Sequence, residues 1–147
     1  MCYTAKSKKE RTKYIANKDI LVYKVAALVN NYCESVFRNY TYIPNVINKR
    51  IKLHYRHSSY EYRHEVTARK FIGHTIDKGY HSYVKKELCV NNLYMYAACA
   101  CIKYMFSYKP LICIECIIPK GTKYCINKQD EIVSETIIYT GHYESLT

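Results

Sequence analysis

Apolar runs alternate with short polar turns through the last third of the chain. Residues 111–118 and 132–139 are rich in β-branched side chains, and a shorter apolar run covers residues 123–126. Pro119-Lys120-Gly121 and the polar residues 127–130 separate these runs. The pattern predicts three antiparallel strands that close the domain.

The upstream pattern predicts further strands and one helix. Residues 20–25 form an apolar, β-branched run typical of a buried strand, and residues 49–57 alternate apolar and polar positions like a half-buried strand. Within residues 91–108, apolar side chains recur at helical spacing, namely Leu93, Tyr96, Ala97, Ala100 and Tyr104. Residues 58–76 lack a clear period, so we expect irregular structure with one short strand near residues 70–73.

Together these elements predict an α+β fold, a small and mostly antiparallel sheet with one or two helices packed on it. A chain of 147 residues is long enough to bury a hydrophobic core without disulfides or a metal. We expect residues 1–18 to form a basic arm or short helix, residues 19–140 the single domain, and residues 141–147 a frayed tail.

The charge balance favours an anionic partner. The chain has 23 lysines and arginines against 12 acidic residues, a formal net charge of +11, which attracts phosphate-bearing molecules. Because the basic residues are spread along the chain, charge alone does not distinguish a nucleotide from nucleic acid or an acidic protein. No apolar run is long enough to cross a bilayer, so we expect a soluble, cytoplasmic protein without a membrane partner.

Eight cysteines raise the alternatives of disulfides, a metal site or a reactive thiol. The sequence runs from Met1 into polar and basic residues without an export signal, so we expect reduced thiols. Cys113 and Cys116 have Cys-x-x-Cys spacing, but on a strand they point to opposite faces, which disfavours a shared metal ion. The pattern places no histidine beside the other thiols that we consider as nucleophiles, Cys33, Cys89, Cys99 and Cys101. We therefore predict neither a metal nor a cofactor.

The strand predicted at residues 49–57 offers a cationic face for a ligand. The side chains at its outward-facing positions suit the binding of a phosphate. They are those of Arg50, Lys52, His54 and Arg56. Tyrosines suited to stacking on bases lie nearby, at Tyr55, Tyr60 and Tyr62. Tyr80 and His81 follow Gly79 in a predicted turn, where a neutral histidine binds a ligand or acts as a general base. The alternative for both groups is an ordinary solvated surface.

No segment carries a specific catalytic signature. Pro119-Lys120-Gly121 lies between two predicted strands and lacks the glycine and Ser/Thr spacing of a phosphate-binding loop, so it predicts a hairpin turn. The chain contains no Gly-x-Ser-x-Gly, His-Glu-x-x-His or Gly-x-Gly-x-x-Gly motif.

Several segments resemble a group of small uncharacterised proteins of gut Bacteroidetes and their bacteriophages. They are residues 19–25 (DILVYKV), 79–83 (GYHSY), 118–124 (IPKGTKY) and 131–138 (EIVSETII). The resemblance covers most of the chain after Asp19. It implies an origin in a phage or another mobile element, and it implies no particular reaction.

The order of a few residues is also similar to that of ADP-ribosyltransferase folds. Those folds have an early Arg or His that holds NAD, a middle Ser-Thr-Ser or His-Tyr element, and a late Glu after a Pro-x-Gly turn. Lys24 stands at the first position, His81 begins the second, and Glu131 or Glu135 stands near the third. The resemblance implies NAD as cofactor and a site of Lys24, His81 and Glu135, in which the glutamate stabilises an oxocarbenium-like centre. Lysine departs from the pattern because it supplies a point charge instead of a bidentate fork.

These observations lead to three hypotheses about function. The first is a binding protein of phage or mobile-element type, whose basic and tyrosine-rich surface engages a nucleotide, nucleic acid or host defence protein. The second is an NAD-using, ADP-ribosyltransferase-like enzyme. The third is a protein-interaction inhibitor of a host system.

Overall fold

The computed structural model describes residues 3–63, 68–105 and 107–146, and it describes their side chains except those of residues 55–63, 68–74 and 77. The described residues form mostly antiparallel β-sheet together with three helices. The predicted α+β class is therefore confirmed. In chain order the elements are β1 (Tyr3–Ala5), α1 (Lys8–Arg11), β2 (Tyr14–Ile15), β3 (Ile20–Val29), β4 (Tyr32–Ser35), β5 (Thr41–Tyr42), β6 (His54–Arg63), β7 (Ala68–Lys78), β8 (Tyr80–Tyr83), α2 (Glu87–Asn91), α3 (Leu93–Lys103), β9 (Leu111–Ile118), β10 (Lys123–Ile126), β11 (Glu131–Ser134) and β12 (Ile138–Ser145).

Two sheets share these strands. The larger sheet follows the order β12-β9-β3-β8-β11-β10-β2, and β4 and β5 join it through β3. The smaller sheet has the order β1-β7-β6. β3 and β9 pair antiparallel over eight residues, from Ile20 with Ile118 to Ala27 with Leu111. Their near-continuous apolar sequences fit a central position, because both faces of this pair are covered.

Buried side chains on the two faces of the central strands form separate clusters. One cluster holds Ile114 and Cys116. The other holds Cys113 and lies beneath α2 and α3, where it includes Tyr96 and Ala100 of the predicted helix. The expectation that Cys113 and Cys116 point to opposite faces is therefore confirmed. A third cluster lies between the two sheets.

The β6–β7 hairpin occupies a region where the sequence predicts irregular structure. β6 and β7 stay paired from Tyr55 with Ile76 to Arg63 with Ala68. β1 pairs only with residues 74–76 of β7. The β6–β7 hairpin therefore extends beyond β1 as two strands. Their strand conformation follows from pairing with each other, and a short window of sequence does not display such pairing.

The N-terminal segment, expected to be an arm or short helix, contains the short helix α1 between two strands that join different sheets. β1 pairs with β7 and β2 pairs with β10. Glu10 of α1 is buried. Its carboxylate accepts hydrogen bonds from the backbone N–H of Lys6 at 2.9 Å and of Lys128 at 2.7 Å. The segment is thus bonded to both its own backbone and the β10–β11 turn.

The C-terminal residues expected to fray belong to β12 as far as Ser145. Tyr143, Glu144 and Ser145 pair with β9 after a register shift in the strand. Gly141, with φ of +93°, lies at that shift, where a residue without a side chain permits the bend. No helix in the described ranges is both long enough and apolar enough to cross a membrane.

Candidate functional site

A gap in strand pairing along β3 creates a cavity. One edge of β3 is paired with β9. On the other edge, Tyr23 pairs with Tyr83 of β8, whereas residues 26–29 pair with β4. Lys24 and Val25 lie between these two partners. The strands β8 and β4 diverge there and leave a cavity of about 280 Å³, which we call the fork cavity.

A tight hairpin brings the second wall of the fork cavity into place. Asn30 and Asn31 have φ of 49° and 67°, the left-handed conformation that two-residue hairpin turns require and that asparagine tolerates. The turn folds β4 back along β3. The connection that follows lines the cavity through Ser35, Val36, Phe37, Arg38, Tyr40 and Tyr42.

Lys24 forms the floor of the fork cavity. It lies between Val22 and Ala26 on an apolar face of β3, and only 8% of its surface is exposed. Its ammonium donates a hydrogen bond to the backbone carbonyl of His81, an acceptor left without a β3 backbone partner because the strands diverge. The same nitrogen lies 5.8 Å from the ring centre of Tyr42, a cation–π distance. An ammonium has three N–H donors, so Lys24 retains donors for a ligand oxygen.

His81 lines the fork cavity in its neutral form. Its Nε2 lies 2.9 Å from the carbonyl oxygen of Ile76. Because a carbonyl only accepts, Nε2 carries the proton and Nδ1 is the acceptor. Burial lowers the pKa of His81 to about 4; the Ile76 carbonyl opposes this shift, while the charges of Lys24 and Arg38 add to it. At neutral pH, His81 is therefore a hydrogen-bonding group without charge.

Aromatic rings form the walls of the cavity. The Phe37 and Tyr96 rings lie 5.1 Å apart, and Tyr40 meets Tyr42 edge-on at 5.1 Å. The Tyr42 hydroxyl donates to the Tyr40 hydroxyl at 3.0 Å, and burial raises the pKa of Tyr42 well above its ordinary value. Phe37 is 41% exposed, so its ring is available at the mouth of the cavity.

Helix α3 holds the wall that carries Phe37 and Arg38. The Lys103 ammonium donates to the backbone carbonyls of Ser35 and Arg38, the latter at 2.9 Å. The Ser35 hydroxyl in turn accepts the backbone N–H of Arg38 at 3.2 Å. These contacts fix the connection before any ligand arrives, which lowers the entropic cost of binding.

The charges around the fork cavity have one sign. Its titratable side chains other than tyrosines are Lys24, Arg38 and His81. Among the described residues, no carboxylate lines it. Cationic groups, a neutral imidazole and aromatic walls together suit an anion that carries a planar group.

The site residues predicted from the ADP-ribosyltransferase resemblance do not all meet. Lys24 and His81 line the fork cavity together. Glu135 is not among its lining residues; its carboxylate, 5% exposed, accepts hydrogen bonds from the Arg50 guanidinium, the closest at 3.0 Å. Glu131, the other glutamate considered, accepts a hydrogen bond from Asn127 at 3.0 Å.

The predicted cationic face lies apart from the fork cavity. Lys52 and His54 are exposed, and neither lines the cavity. The side chain of Arg56 lies outside the described residues. β6 begins only at His54, yet burial still alternates upstream of it, with Leu53 buried beside exposed Lys52. Tyr80 belongs to the core, and its hydroxyl donates to the Lys49 carbonyl at 2.6 Å.

Sequence reasoning missed the residues between β4 and β5. Periodicity over residues 32–42 does not separate a strand from a helix, so Phe37, Arg38 and Tyr40 carried no prediction. The signal that identifies them is Asn30-Asn31, a hairpin turn that returns the chain beside Lys24.

The described residues contain no group of three or more histidine, cysteine or acidic side chains placed to hold a metal ion. Comparison of the chain with protein-family models, with curated proteins and with solved structures found no match. The functional assignment therefore depends on the geometry of the fork cavity.

Proposed function

We propose that the protein binds a small anionic ligand of the nucleotide class in the fork cavity. The observation that carries this proposal is the buried ammonium of Lys24 on an otherwise apolar face, with Arg38 and aromatic rings around it and no lining carboxylate among the described residues. Placing a charge in such a site is costly unless it is paired and hydrogen-bonded. A ligand phosphate would supply the counter-charge that Lys24 does not receive from the lining residues.

The size and shape of the cavity favour a single small molecule. Its volume of about 280 Å³ lies just below the roughly 300–1,000 Å³ typical of small-molecule sites. Phe37, Tyr40 and Tyr42 present ring surfaces, and stacking of a base on an aromatic side chain contributes about 1–3 kcal/mol. A nucleotide combines the planar base and the anion that these groups recognise.

Binding is favoured over ADP-ribosyl transfer by the position of the glutamate. ADP-ribosyl transfer needs a carboxylate beside the ribose of the cofactor, where it stabilises positive charge. Glu135, which the resemblance implies for this role, is held by Arg50 outside the fork cavity. Lys24 and His81 at the cavity remain suited to hold a phosphate or a ribose hydroxyl.

Equilibrium titration with nucleoside 5′-monophosphates and with the matching nucleosides tests the proposal. We expect the phosphorylated ligands to bind at least about tenfold more tightly, since a charge-assisted hydrogen bond contributes about 1.5–3 kcal/mol. The preference should weaken as salt rises. Arg38→Gln should reduce the affinity by roughly tenfold or more.

Lys52→Gln is the matched control, because it removes a positive charge from the predicted cationic face and leaves the fork cavity intact. We expect Lys52→Gln to bind like the wild type. Absence of binding by every monophosphate, or an equal loss in Lys52→Gln and Arg38→Gln, would contradict the proposal.

A further inference from the structure

The last strand of the larger sheet has an outer edge that the chain covers only in part. β12 stands at one end of the strand order and pairs with β9 on its inner side. On its outer side, the backbone N–H of Asn45 donates to the Tyr139 carbonyl at 2.7 Å. Within the described residues, no strand or bridge lies on that side at Tyr143. An open strand edge is a template for pairing with another chain.

The hydrogen-bonding phase of β12 directs the backbone of Tyr143 outward. The N–H of Leu146 donates to the Leu111 carbonyl at 3.0 Å. Residues along an antiparallel strand alternate between bonding to one neighbour and to the other. Glu144 therefore bonds to β9 opposite Cys113, and Tyr143 turns its N–H and C=O away from β9. The Tyr143 residue is 45% exposed, so its ring is accessible as well.

The side chains on either side of Tyr143 are complementary to each other. His142 and Glu144 lie on one face of the strand, where both line a small opening together with Lys86. The His142 Nε2 lies 3.7 Å from Glu144 Oε1, and the Lys86 ammonium lies 2.6 Å from the same oxygen. The side chains of His142 and Glu144 are 63% and 48% exposed, so both can reach a second partner.

A second copy of the chain, laid antiparallel with a two-fold axis at Tyr143, matches these groups. His142 then faces Glu144 of the second copy, and by symmetry the same contact forms on the other side of the axis. An axis at His142 or at Glu144 would instead set two like groups directly opposite each other, which is destabilising. Charge complementarity thus selects the axis at Tyr143 over its neighbours.

We propose that the protein forms a homodimer in which β12 pairs with β12 of a second copy about a two-fold axis at Tyr143. The two Tyr143 residues exchange both backbone N–H···O=C bonds, so that the larger sheet continues from one copy into the other. This interface is separate from ligand binding in the fork cavity. Because the paired segment is short, the dimer dissociates on dilution.

Side chains contribute to the interface on both faces of the extended sheet. His142 and Glu144 of the second copy form a pair without backbone hydrogen bonds, whose Cα atoms are about 4.5 Å apart. The imidazole therefore reaches the carboxylate that Lys86 already holds. On the other face, which Tyr143 shares with its partner Ile114, the two Tyr143 rings lie side by side.

The surroundings favour β12 over the opposite end of the larger sheet. The segment that bridges the start of β12 carries exposed apolar side chains at Ile43, Val46 and Ile47, which are 55%, 48% and 64% exposed. Clusters of exposed apolar side chains are typical of interaction sites. The strand at the other end, β2, has only two residues, too few for a ladder of this kind.

Sedimentation velocity of the full chain at increasing concentration tests the proposal, and we expect a shift from monomer to dimer. His142→Glu and Glu144→Lys each place like charges opposite each other on both sides of the axis, so each should raise the dimer dissociation constant at least about tenfold. An equimolar mixture of the two variants should dimerise again, because unlike charges then meet at both contacts. Lys123→Glu, at an exposed position of β10, is the charge control and should dimerise like the wild type.

A cross-link tests the position of the axis even if a charge variant fails to fold. Cα atoms of a hydrogen-bonded pair are about 5.5 Å apart, which a disulfide spans. In a Cys101→Ser background that removes an exposed thiol, Tyr143→Cys should give a covalent dimer on mild oxidation, with the bond mapped to position 143 of both copies. Tyr32→Cys, at a residue that is 63% exposed on β4, is its control and should stay monomeric.

Three results would overturn the proposal. The first is a monomer at every concentration. The second is a dimer that both charge variants leave unchanged, or that their mixture does not recover. The third is cross-linking of Tyr143→Cys no faster than that of Tyr32→Cys.

Discussion

His81 gives the stability of the fold a pH dependence whose sign follows from its burial. The folded pKa is about 4 against an ordinary value of 6.5. Between these values the unfolded chain binds a proton that the folded chain excludes. The free energy of unfolding is therefore highest above the unfolded pKa and falls as the pH drops toward the folded pKa.

The magnitude follows from the shift. A difference of about 2.5 pKa units corresponds to a total of about 3 kcal/mol, of which about 2.5 kcal/mol is lost between about pH 7.5 and about pH 4.5. His81→Gln removes this titration while keeping a donor for the Ile76 carbonyl. The loss of stability on acidification should therefore be smaller in His81→Gln than in the wild type by about that amount.

Urea unfolding at the two pH values measures the difference directly, because carboxylates that also titrate contribute equally to both proteins. His142→Gln is the matched control, since His142 is largely exposed at the edge of β12. It should retain the wild-type dependence. An equal loss of unfolding free energy on acidification in wild type, His81→Gln and His142→Gln would contradict the lowered pKa of His81.

Two further substitutions test the architecture around the site, both by urea unfolding. Gly79→Ala should lower the free energy of unfolding by about 2 kcal/mol or more, because φ is +126° and a Cβ would lie 2.7 Å from Leu53 Cδ2. Gly121 also has a positive φ, +88°, but has open space around it, so Gly121→Ala should lower it by only about 1 kcal/mol. Glu10→Ala should cost about 2–4 kcal/mol, since two backbone N–H donors lose their hydrogen bonds to a buried carboxylate. Lys8→Ala at an exposed position should stay within about 0.5 kcal/mol of wild type. Equal costs within either pair would contradict these contacts.

The central strands are predictable because they are runs of consecutive apolar residues, the pattern of strands buried on both faces. β9 has the bounds that the apolar run 111–118 predicts, and β3 begins where expected but continues to Val29. β8 is different, since the sequence predicts a turn at His81. Its strand conformation comes from pairing with β11 and β3, which no short window of sequence displays.

The site was predictable only in part. His81 was a candidate because it follows Gly79 in a predicted turn, and Lys24 was implied by the ADP-ribosyltransferase resemblance; the fold brings both to one cavity. The partner of Glu135 is Arg50, 85 residues away along the chain, and a contact of that separation has no local signature. Arg38 reaches the cavity because a hairpin turn redirects the chain, so its role follows from topology and not from periodicity.

The most direct test of the central claim is to locate a bound nucleotide on the protein. Backbone amide NMR shifts, recorded during titration with a nucleoside monophosphate, report that position. We expect the largest changes at Phe37, Arg38 and His81 around the fork cavity, with little change at Lys52. Changes centred on Lys52 and His54, or no saturable change at any of these residues, would contradict it.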